Sequence, residues 1–379
     1  MTVDVATTAY ETRPQRVVSG PGAIRQVADE VARLGLRRAM VVTGTSGLVS
    51  VQGALPGLNV VAVFDAVRPH VPLEVAEAAR HLARDSGADV LVSVGGGSAV
   101  GTAKAVALTE HLPIVAVPTT YAGSEATDVW GVTQAGQKTT GTDASVLPRT
   151  VIYDPELTVG LPPELTVRSG LNALAHCVDS LWGPLAGPVS TALADEGIRL
   201  LGLGLPVVVT DPADITARSR CQEGAYLAAS AFAAAGSGMH HAVCHVLGGA
   251  FTLEHAGLHA VLLPHVVGFN TPAAPVAAER IATALDSAGL GPDGSTNALA
   301  ASGHPMAEES LATLSALYSN LGAPTSLGAL GLLADQVPAA ARLAAAAVPP
   351  TNPRPVTEAD MLALLGRAQA GERAVVVPL

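Results

Sequence analysis

The sequence predicts an α/β N-terminal dinucleotide-binding domain with a parallel sheet, followed by an all-α C-terminal domain. In the first half, short β-branched runs alternate with amphipathic helical patterns, which is typical of βαβ units covered by helices on both faces. After VIYDPELTVGLPPEL (151–165), strand patterns almost vanish and long Ala/Leu-rich helical stretches continue to the end. We therefore predict two domains, 1–159 and 160–379.

Five strands and three helices account for the alternation in the first half. The helical patterns are AIRQVADEVARLG (23–35), LEVAEAARHLARDSG (73–87) and the segment that follows a glycine run, 99–111. The predicted strands are RVVSG (16–20), RAMVVTG (38–44), NVVAVFD (59–65), ADVLVSV (88–94) and PIVAVPTT (113–120). Pro162 and Pro163 suit the first turn of the helix that opens the second domain, where a backbone N–H is unpaired anyway. The Gly/Pro/Ser/Asn-rich stretch 289–310 predicts a loop or insertion.

Composition excludes several classes of partner. The chain has 379 residues and a net charge of −11, which disfavours nucleic acids and acidic membrane surfaces because the summed field repels phosphates. Cys177, Cys221 and Cys244 form no CxxC pair, and their odd number predicts reduced thiols in the cytoplasm. We find no secretory signal at the start and no apolar run of the ~18 residues that span a bilayer.

A glycine turn provides the first chemical motif. Gly95, Gly96, Gly97 and Ser98 follow the apolar strand 88–94 and open a helical pattern. Such a turn lets backbone N–H groups and the positive helix N-terminus approach a pyrophosphate. The run matches neither the GxGxxG fingerprint nor a Walker A loop, so a tight turn without a ligand is the alternative.

The carboxyl ends of two other strands add hydroxyl side chains to the predicted nucleotide site. In open α/β sheets, ligands bind at the carboxyl edge of the strands. PTTYAGSE (118–125) begins at the end of one predicted strand, and RAMVVTG (38–44) ends in a threonine and a glycine. Together with the glycine turn, the predicted cofactor-binding residues are Gly95, Gly96, Gly97, Ser98, Thr119, Thr120, Ser124 and Thr43.

Histidines at helical spacing form the second constellation. Asn172 and His176 are four residues apart, as are His241 and His245, and also His255 and His259, so each pair shares a helix face. For His240, His259 and His265 we favour hydrogen-bonded imidazoles with no role in catalysis. Three neutral imidazoles can bind Zn²⁺ or Fe²⁺ with an open position, but position 172 supplies an amide rather than a carboxylate.

These residues resemble the iron-containing alcohol dehydrogenase superfamily, which shares the dehydroquinate synthase-like two-domain fold. The resemblance places the family's carboxylate ligand on Asn172, its histidine ligands on His176, His241 and His255, and the histidine beside the nicotinamide on His245. Asparagine at that position is similar to the maleylacetate reductase branch. So are QRVVSGPGA (15–23), LPRTVIYDPEL (147–157) and NPRPVT (352–357).

The resemblance implies a homodimeric enzyme that uses NADH or NADPH to reduce the enone double bond of maleylacetate, a dicarboxylate, to 3-oxoadipate. It implies hydrogen-bond donation to the substrate by His176, His241 and His255, and proton delivery by His245. No metal is expected; if one binds, the same three histidines hold it. Arg354 and Lys138 are candidates for the substrate carboxylates. Gly44 and Thr45 stand where relatives carry an acid that selects NADH, so the cofactor preference stays open.

Four other functions are weighed against this one. A metal-dependent alcohol dehydrogenase or carbonyl reductase of the same superfamily would hold Fe or Zn on three histidines and water. A sugar-phosphate cyclase related to dehydroquinate synthase would carry a Glu with two histidines and more Lys/Arg, which this sequence lacks. A repurposed biosynthetic reductase would reduce an unrelated enone, and a binding or scaffold protein would have kept the fold and lost catalysis.

Overall fold

The computed structural model describes residues 13–44, 55–135, 137–290 and 303–379. It confirms the predicted fold class, because a parallel sheet with flanking helices occupies the first half and helices occupy the second. All strands of the described residues end before the first long helix of the second half, which begins at Pro163. The predicted domain boundary at residues 159 and 160 lies between these parts and stays a prediction.

Six strands form the sheet of the N-terminal half, in the order β1-β8-β5-β4-β2-β3 and all parallel. The inner strands are buried on both faces and are rich in Val, Ile and Ala, as parallel sheets require. The strands are β1 (Arg16–Ser19), β2 (Ala39–Thr43), β3 (Val60–Phe64), β4 (Val90–Gly95), β5 (Ile114–Pro118) and β8 (Thr150–Tyr153).

Strand order reverses between β2 and β4, so the sheet has a topological switch point there. From β2 the chain goes outward to β3, returns to β4 beside β2, and then continues in the other direction through β5. Crevices at such switch points bind ligands in open α/β sheets. The helices α1 (Val27–Arg33), α2 (Leu73–Ser86) and α3 (Gly97–Glu110) cover this sheet.

A two-stranded antiparallel hairpin lies between β5 and β8, and the sequence patterns did not predict it. It consists of β6 (Val129–Gln134) and β7 (Gln137–Thr142). The second strand, QKTTGT, contains no aliphatic residue, so the alternation of apolar and polar residues that indicates a strand is missing. The hairpin is therefore identified by the pairing of its two strands in the structure and not by a hydrophobic pattern in the sequence.

The C-terminal half is helical, and its opening helix starts where the two prolines predict. Pro162 is the N-cap and Pro163 the first residue of α4. The described helices are α4 (Pro163–Ser180), α5 (Pro188–Thr210), α6 (Ile215–Ala235), α7 (Met239–Phe251), α8 (His255–Asn270), α9 (Pro275–Leu285), α10 (Pro305–Leu321), α11 (Val337–Ala347) and α12 (Glu358–Ala370). They share one large apolar core.

The prediction of a loop over 289–310 is wrong at its C-terminal end. Pro305 begins α10, because proline is favoured in the first turn of a helix and Ala307 and Leu311 face the core. Residues 291–302 lie outside the described residues. None of the helices within the described ranges has the length and apolarity needed to cross a membrane.

Candidate active site

A glycine turn joins β4 to α3 at the carboxyl edge of the sheet. Gly95 ends β4 with a φ of 150°, and Gly96 is the N-cap of α3, whose first turn begins with Gly97 and Ser98. A Cβ built at Gly96 would lie 2.9 Å from Thr120 Cγ2, so no larger side chain fits there without a shift. The turn therefore leaves the backbone N–H groups at the start of α3 open to an anion.

The other predicted cofactor-binding residues share this edge. Thr119 and Thr120 directly follow β5, and the Thr119 N–H donates to the Gly95 carbonyl at 3.1 Å. Ser124 begins a short 3₁₀ helix after this loop. Thr43 ends the neighbouring strand β2, but its side chain is fully buried and its hydroxyl donates to the Gly44 carbonyl at 3.4 Å. The edge thus combines the glycine turn with a hydroxyl-rich loop.

Lys104 on α3 fixes the loop that contains Ser124, and the sequence patterns did not single it out. Its Nζ donates to the carbonyl oxygens of Ser124 at 2.6 Å, Thr127 at 2.8 Å and Val129 at 2.8 Å, and the side chain is fully buried. Burial lowers the pKa of Lys104 to about 7, although the nearby Glu125 acts in the opposite direction. One side chain therefore ties α3 to the loop at the sheet edge.

The structure brings the four predicted catalytic histidines together. The ring centroids of His176 and His241 are 4.7 Å apart and their planes are nearly parallel. His241 and His245 are 6.3 Å apart, and His245 and His255 are 5.7 Å apart. Asn172 lies one helical turn before His176 on α4. Three helices, α4, α7 and α8, therefore supply one continuous group of imidazoles with an amide beside it.

The group has a buried side and an exposed side. Asn172 and His241 are 6% and 2% exposed, whereas His245 and His255 are exposed. Burial lowers the pKa of His176 to about 4 and that of His241 well below 6.5, so both rings are neutral at pH 7. The exposed pair is therefore the one that exchanges protons readily with solvent.

Phe232 on α6 covers the buried side of the histidine group. Its ring centroid lies 4.9 Å from that of His176 and 4.2 Å from that of His241. This contact excludes water from the two imidazoles and accounts for part of their desolvation. Phe232 was not predicted, because a lone phenylalanine in the alanine-rich run AFAAA is typical of a core residue.

Asp179 supports the histidine group from behind. Its carboxylate is fully buried and accepts the Nδ1–H of His241 at 2.9 Å. It also accepts the backbone N–H groups of Gly238, His240 and His241 at the start of α7, and the indole N–H of Trp182. A carboxylate at a helix N-terminus with five donors is well compensated in a buried position.

The contact with Asp179 sets the tautomer of His241. Because the carboxylate can only accept, the proton sits on Nδ1, and Nε2 of the neutral ring presents a lone pair. Gly238 permits this approach, since a Cβ there would overlap the Asp179 carboxylate. The predicted role of His241 as a donor to the substrate therefore requires that the ring first gain a proton; in its neutral form it accepts.

Comparisons with known proteins cover nearly the whole chain. Residues 14–155 match the family model described as iron-containing alcohol dehydrogenase, and residues 166–369 match the C-terminal model of the same family. The chain belongs to the iron-containing alcohol dehydrogenase family.

Relatives in this family include enzymes named maleylacetate reductase. One from Sphingobium indicum is 42% identical over 96% of this chain and 97% of its own length, and one from Burkholderia cepacia is 44% identical over 96% and 98%. A solved iron-containing alcohol dehydrogenase from Corynebacterium glutamicum is 46% identical over 97% and 98%, with a TM-score of 0.89. A solved maleylacetate reductase from Agrobacterium tumefaciens is 38% identical over 97% and 100%, with a TM-score of 0.87.

A second group of buried histidines lies behind the first in this family member. His240 and His259 contact each other at 2.9 Å between Nε2 and Nδ1, and the thiol of Cys244 lies 3.7 Å from His240 Nε2. Among the described residues, these three side chains place metal-ligand atoms within 4.8 Å of one another. The direct contact between the two imidazoles already satisfies one nitrogen of each, which agrees with the predicted hydrogen-bonded role.

Arg354, one of the two candidates for a substrate carboxylate, contacts the C-terminal segment, and its predicted role stays a prediction. Its guanidinium donates to the carbonyls of Phe269, Val377 and Pro378 and lies over the Phe269 ring at 4.4 Å. The arginine therefore holds the C-terminal segment against α8 through Nη1, which makes all three of these hydrogen bonds. The side chain of Lys138, the other candidate, lies outside the described residues.

Proposed function

We propose that the protein uses NADH or NADPH to reduce the carbon–carbon double bond of maleylacetate, or of a substituted maleylacetate, to the corresponding 3-oxoadipate in aromatic-compound degradation. The observation that carries the proposal is a group of four convergent imidazoles with Asn172 where the family resemblance expects a carboxylate ligand. Relatives named maleylacetate reductase, 40–44% identical over most of the chain, support the substrate.

The glycine turn and the hydroxyl-rich loop fit a dinucleotide. Gly95, Gly96 and Gly97 keep side chains away from the N-terminus of α3, which supplies N–H groups and a favourable dipole for the pyrophosphate. Thr120 and Ser124 continue the same edge toward the helical half. When bound, the nicotinamide supplies a hydride to the enone carbon remote from the ketone. Residues of this chain must then manage the oxyanion and the proton.

Reduction of an enone leaves its charge spread over an enolate, and the site can stabilise this charge by hydrogen bonds. Asn172 carries two amide N–H donors where a carboxylate would carry none, so its replacement turns a repelling group into a donating one. His176, one helical turn after Asn172, and His255, at the other end of the histidine group, are further donors. We assign these three residues to the enolate oxygen and the carboxylate next to it.

We assign proton delivery to His245. It is exposed on the open side of the group, 6.3 Å from His241 and 5.7 Å from His255 between ring centroids. An exposed imidazole regains its proton from solvent after each turnover, whereas the buried rings of His176 and His241 stay neutral. The proton goes to the carbon between the ketone and the carbon that received the hydride.

A metal would meet only neutral ligands at this site. The buried atoms Asn172 Oδ1, His176 Nδ1 and His241 Nε2 have no hydrogen-bond partner among the described residues, so they are available to a cation or to substrate. Zn²⁺ or Fe²⁺ would be held by His176, His241 and His255 and would polarise a carbonyl oxygen. No carboxylate offsets its charge among these ligands. We propose that the reaction does not need the metal, and a metal-dependent carbonyl reductase is the second candidate.

The experiment that tests this proposal follows deuterium from the reduced cofactor into the product. Purified protein, NADPH or NADH deuterated at the transferred position, and fresh maleylacetate should give 3-oxoadipate with one deuterium on the carbon remote from the ketone. A deuterium on the carbinol carbon of a hydroxy acid would instead identify a carbonyl reductase.

We also propose that the protein is a homodimer in the cytoplasm, where the three free cysteines stay reduced. Light scattering after size exclusion tests the dimer.

A further inference from the structure

The helices that supply the histidine group contain a single lysine or arginine. Arg168 lies on α4, whereas α7 and α8 contain no lysine or arginine, and all three helices lie entirely within the described residues. A dicarboxylate substrate brings two negative charges into a partly buried site, which is costly unless at least one meets a cation. Among these helices, Arg168 is the one side chain whose positive charge does not depend on gaining a proton near neutral pH.

Arg168 is placed beside the predicted catalytic residues. It is four residues before Asn172 and eight before His176, so the three side chains share one face of α4. Its Nη1 lies 3.5 Å from Oε2 of Glu254, and Glu254 immediately precedes His255 at the start of α8. The guanidinium therefore connects α4 with the N-terminus of α8, and both helices supply histidines to the group.

The present partners of Arg168 hold it weakly. Its contacts with Glu254 and Glu164 are 3.5 Å and 3.9 Å long, and its side chain is 32% exposed. The Glu254 carboxylate also accepts the backbone N–H groups of Ala256 at 3.0 Å and Gly257 at 2.6 Å. Long, exposed ion pairs contribute little, whereas a substrate carboxylate can take two short, parallel bonds from the guanidinium.

Two other arginines of the helical half already donate hydrogen bonds to backbone carbonyls. Arg218 is fully buried and donates to the Pro212 carbonyl and to the Tyr121 hydroxyl. Arg354 donates to three backbone carbonyls. We propose that Arg168 binds one carboxylate of the substrate and makes the site selective for a dicarboxylate enone over an uncharged one. The inference rests on the proposed function and adds its specificity residue.

The test compares Arg168→Gln and Arg168→Lys with a matched control, Arg199→Gln. Arg199 is also a partly exposed helical arginine that pairs with a glutamate, Glu196, but it lies on α5. We expect the KM for maleylacetate to rise about tenfold or more in Arg168→Gln, with the KM for NADPH unchanged. The KM of Arg168→Lys for maleylacetate should lie between those of the wild type and Arg168→Gln, because lysine keeps the charge but lacks the planar guanidinium. Arg199→Gln should match the wild type.

A second readout separates this inference from the proposed function. Each monomethyl ester of maleylacetate has one of the two carboxylates neutralised. For the ester that blocks the carboxylate bound by Arg168, the KM of Arg168→Gln should be about equal to that of the wild type. Binding of 3-oxoadipate, followed by the fluorescence of bound NADPH, tests the role of Arg168 even if wild-type protein turns over no maleylacetate. Equal KM or equal Kd in Arg168→Gln and wild type overturns the inference, whereas the proposed function fails only if the wild-type protein does not reduce maleylacetate.

Discussion

His241 donates from Nδ1 to the carboxylate of Asp179 at 2.9 Å, and both side chains are buried. The same carboxylate accepts three backbone N–H groups at the start of α7, the helix on which His241 lies. One acidic side chain therefore fixes the position of the helix, the orientation of the ring and the nitrogen that carries its proton. The chemistry assigned to the histidine group depends on this arrangement.

Asp179→Asn should lower kcat/KM for maleylacetate by about 10- to 100-fold, because an amide no longer holds the Nδ1 proton of His241 in place. It should also lower the free energy of unfolding by about 1–3 kcal/mol through the buried N–H groups of α7. Trp182→Phe is the control, since it removes only the indole donor to the same carboxylate. Steady-state kinetics and urea unfolding measure both. If Trp182→Phe and Asp179→Asn lose activity equally, the effect is on packing and not on the tautomer.

Asn172→Asp should create a metal site at the expense of the proposed reaction. A carboxylate beside His176, His241 and His255 offsets part of the charge of a dication, so affinity for Zn²⁺ should rise about tenfold or more. The same negative charge opposes an enolate, so turnover of maleylacetate without metal should fall. Isothermal titration calorimetry and metal analysis measure the first effect. Asn172→Ser serves as control, and equal Zn²⁺ affinity in all three proteins would contradict the account.

Lys104→Met should loosen the loop that contains Ser124. Three partly buried carbonyls, those of Ser124, Thr127 and Val129, lose their donor, and we expect the free energy of unfolding to fall by about 2–4 kcal/mol. The KM for NADPH should rise more than that for maleylacetate, because the loop lies at the edge where we propose that the dinucleotide binds. Arg80→Met is the control, since Arg80 contacts the Ala105 carbonyl on α3 and not the loop. A larger change in the KM for maleylacetate would argue against this position for the loop.

Stability should decrease in acid. Burial lowers the pKa of His265 from 6.5 to about 4, with a smaller effect of Arg367 in the same direction. Between these pH values the unfolded chain binds the proton and the folded chain does not, so the free energy of unfolding falls as pH decreases from 6.5 to about 4. Urea titrations at several pH values measure the slope. His265→Gln should reduce it, and an identical slope in the variant would show that His265 does not contribute.

The sequence could predict the fold and the histidine group because both have local signatures. Alternating patterns located five of the six sheet strands and did not mark β8 (Thr150–Tyr153), and four-residue spacing put Asn172 and His176 on one helix face. The hairpin of β6 and β7 was missed because its second strand has no apolar alternation. Asp179, Lys104 and Phe232 were missed because their roles depend on contacts between elements distant in sequence. An acid, a lysine and a phenylalanine within helical patterns carry no signal of such contacts.

The central claim is that this site reduces maleylacetate without a metal, and turnover by metal-free protein tests it most directly. Protein is stripped with a chelator, checked for residual iron and zinc, and mixed with NADPH or NADH and fresh maleylacetate while the absorbance of the reduced nicotinamide is followed. The account predicts turnover at the rate of the untreated protein, with no gain from added Zn²⁺ or Fe²⁺. Turnover that appears only after metal is restored would contradict it and assign the site to the metal-dependent members of the family.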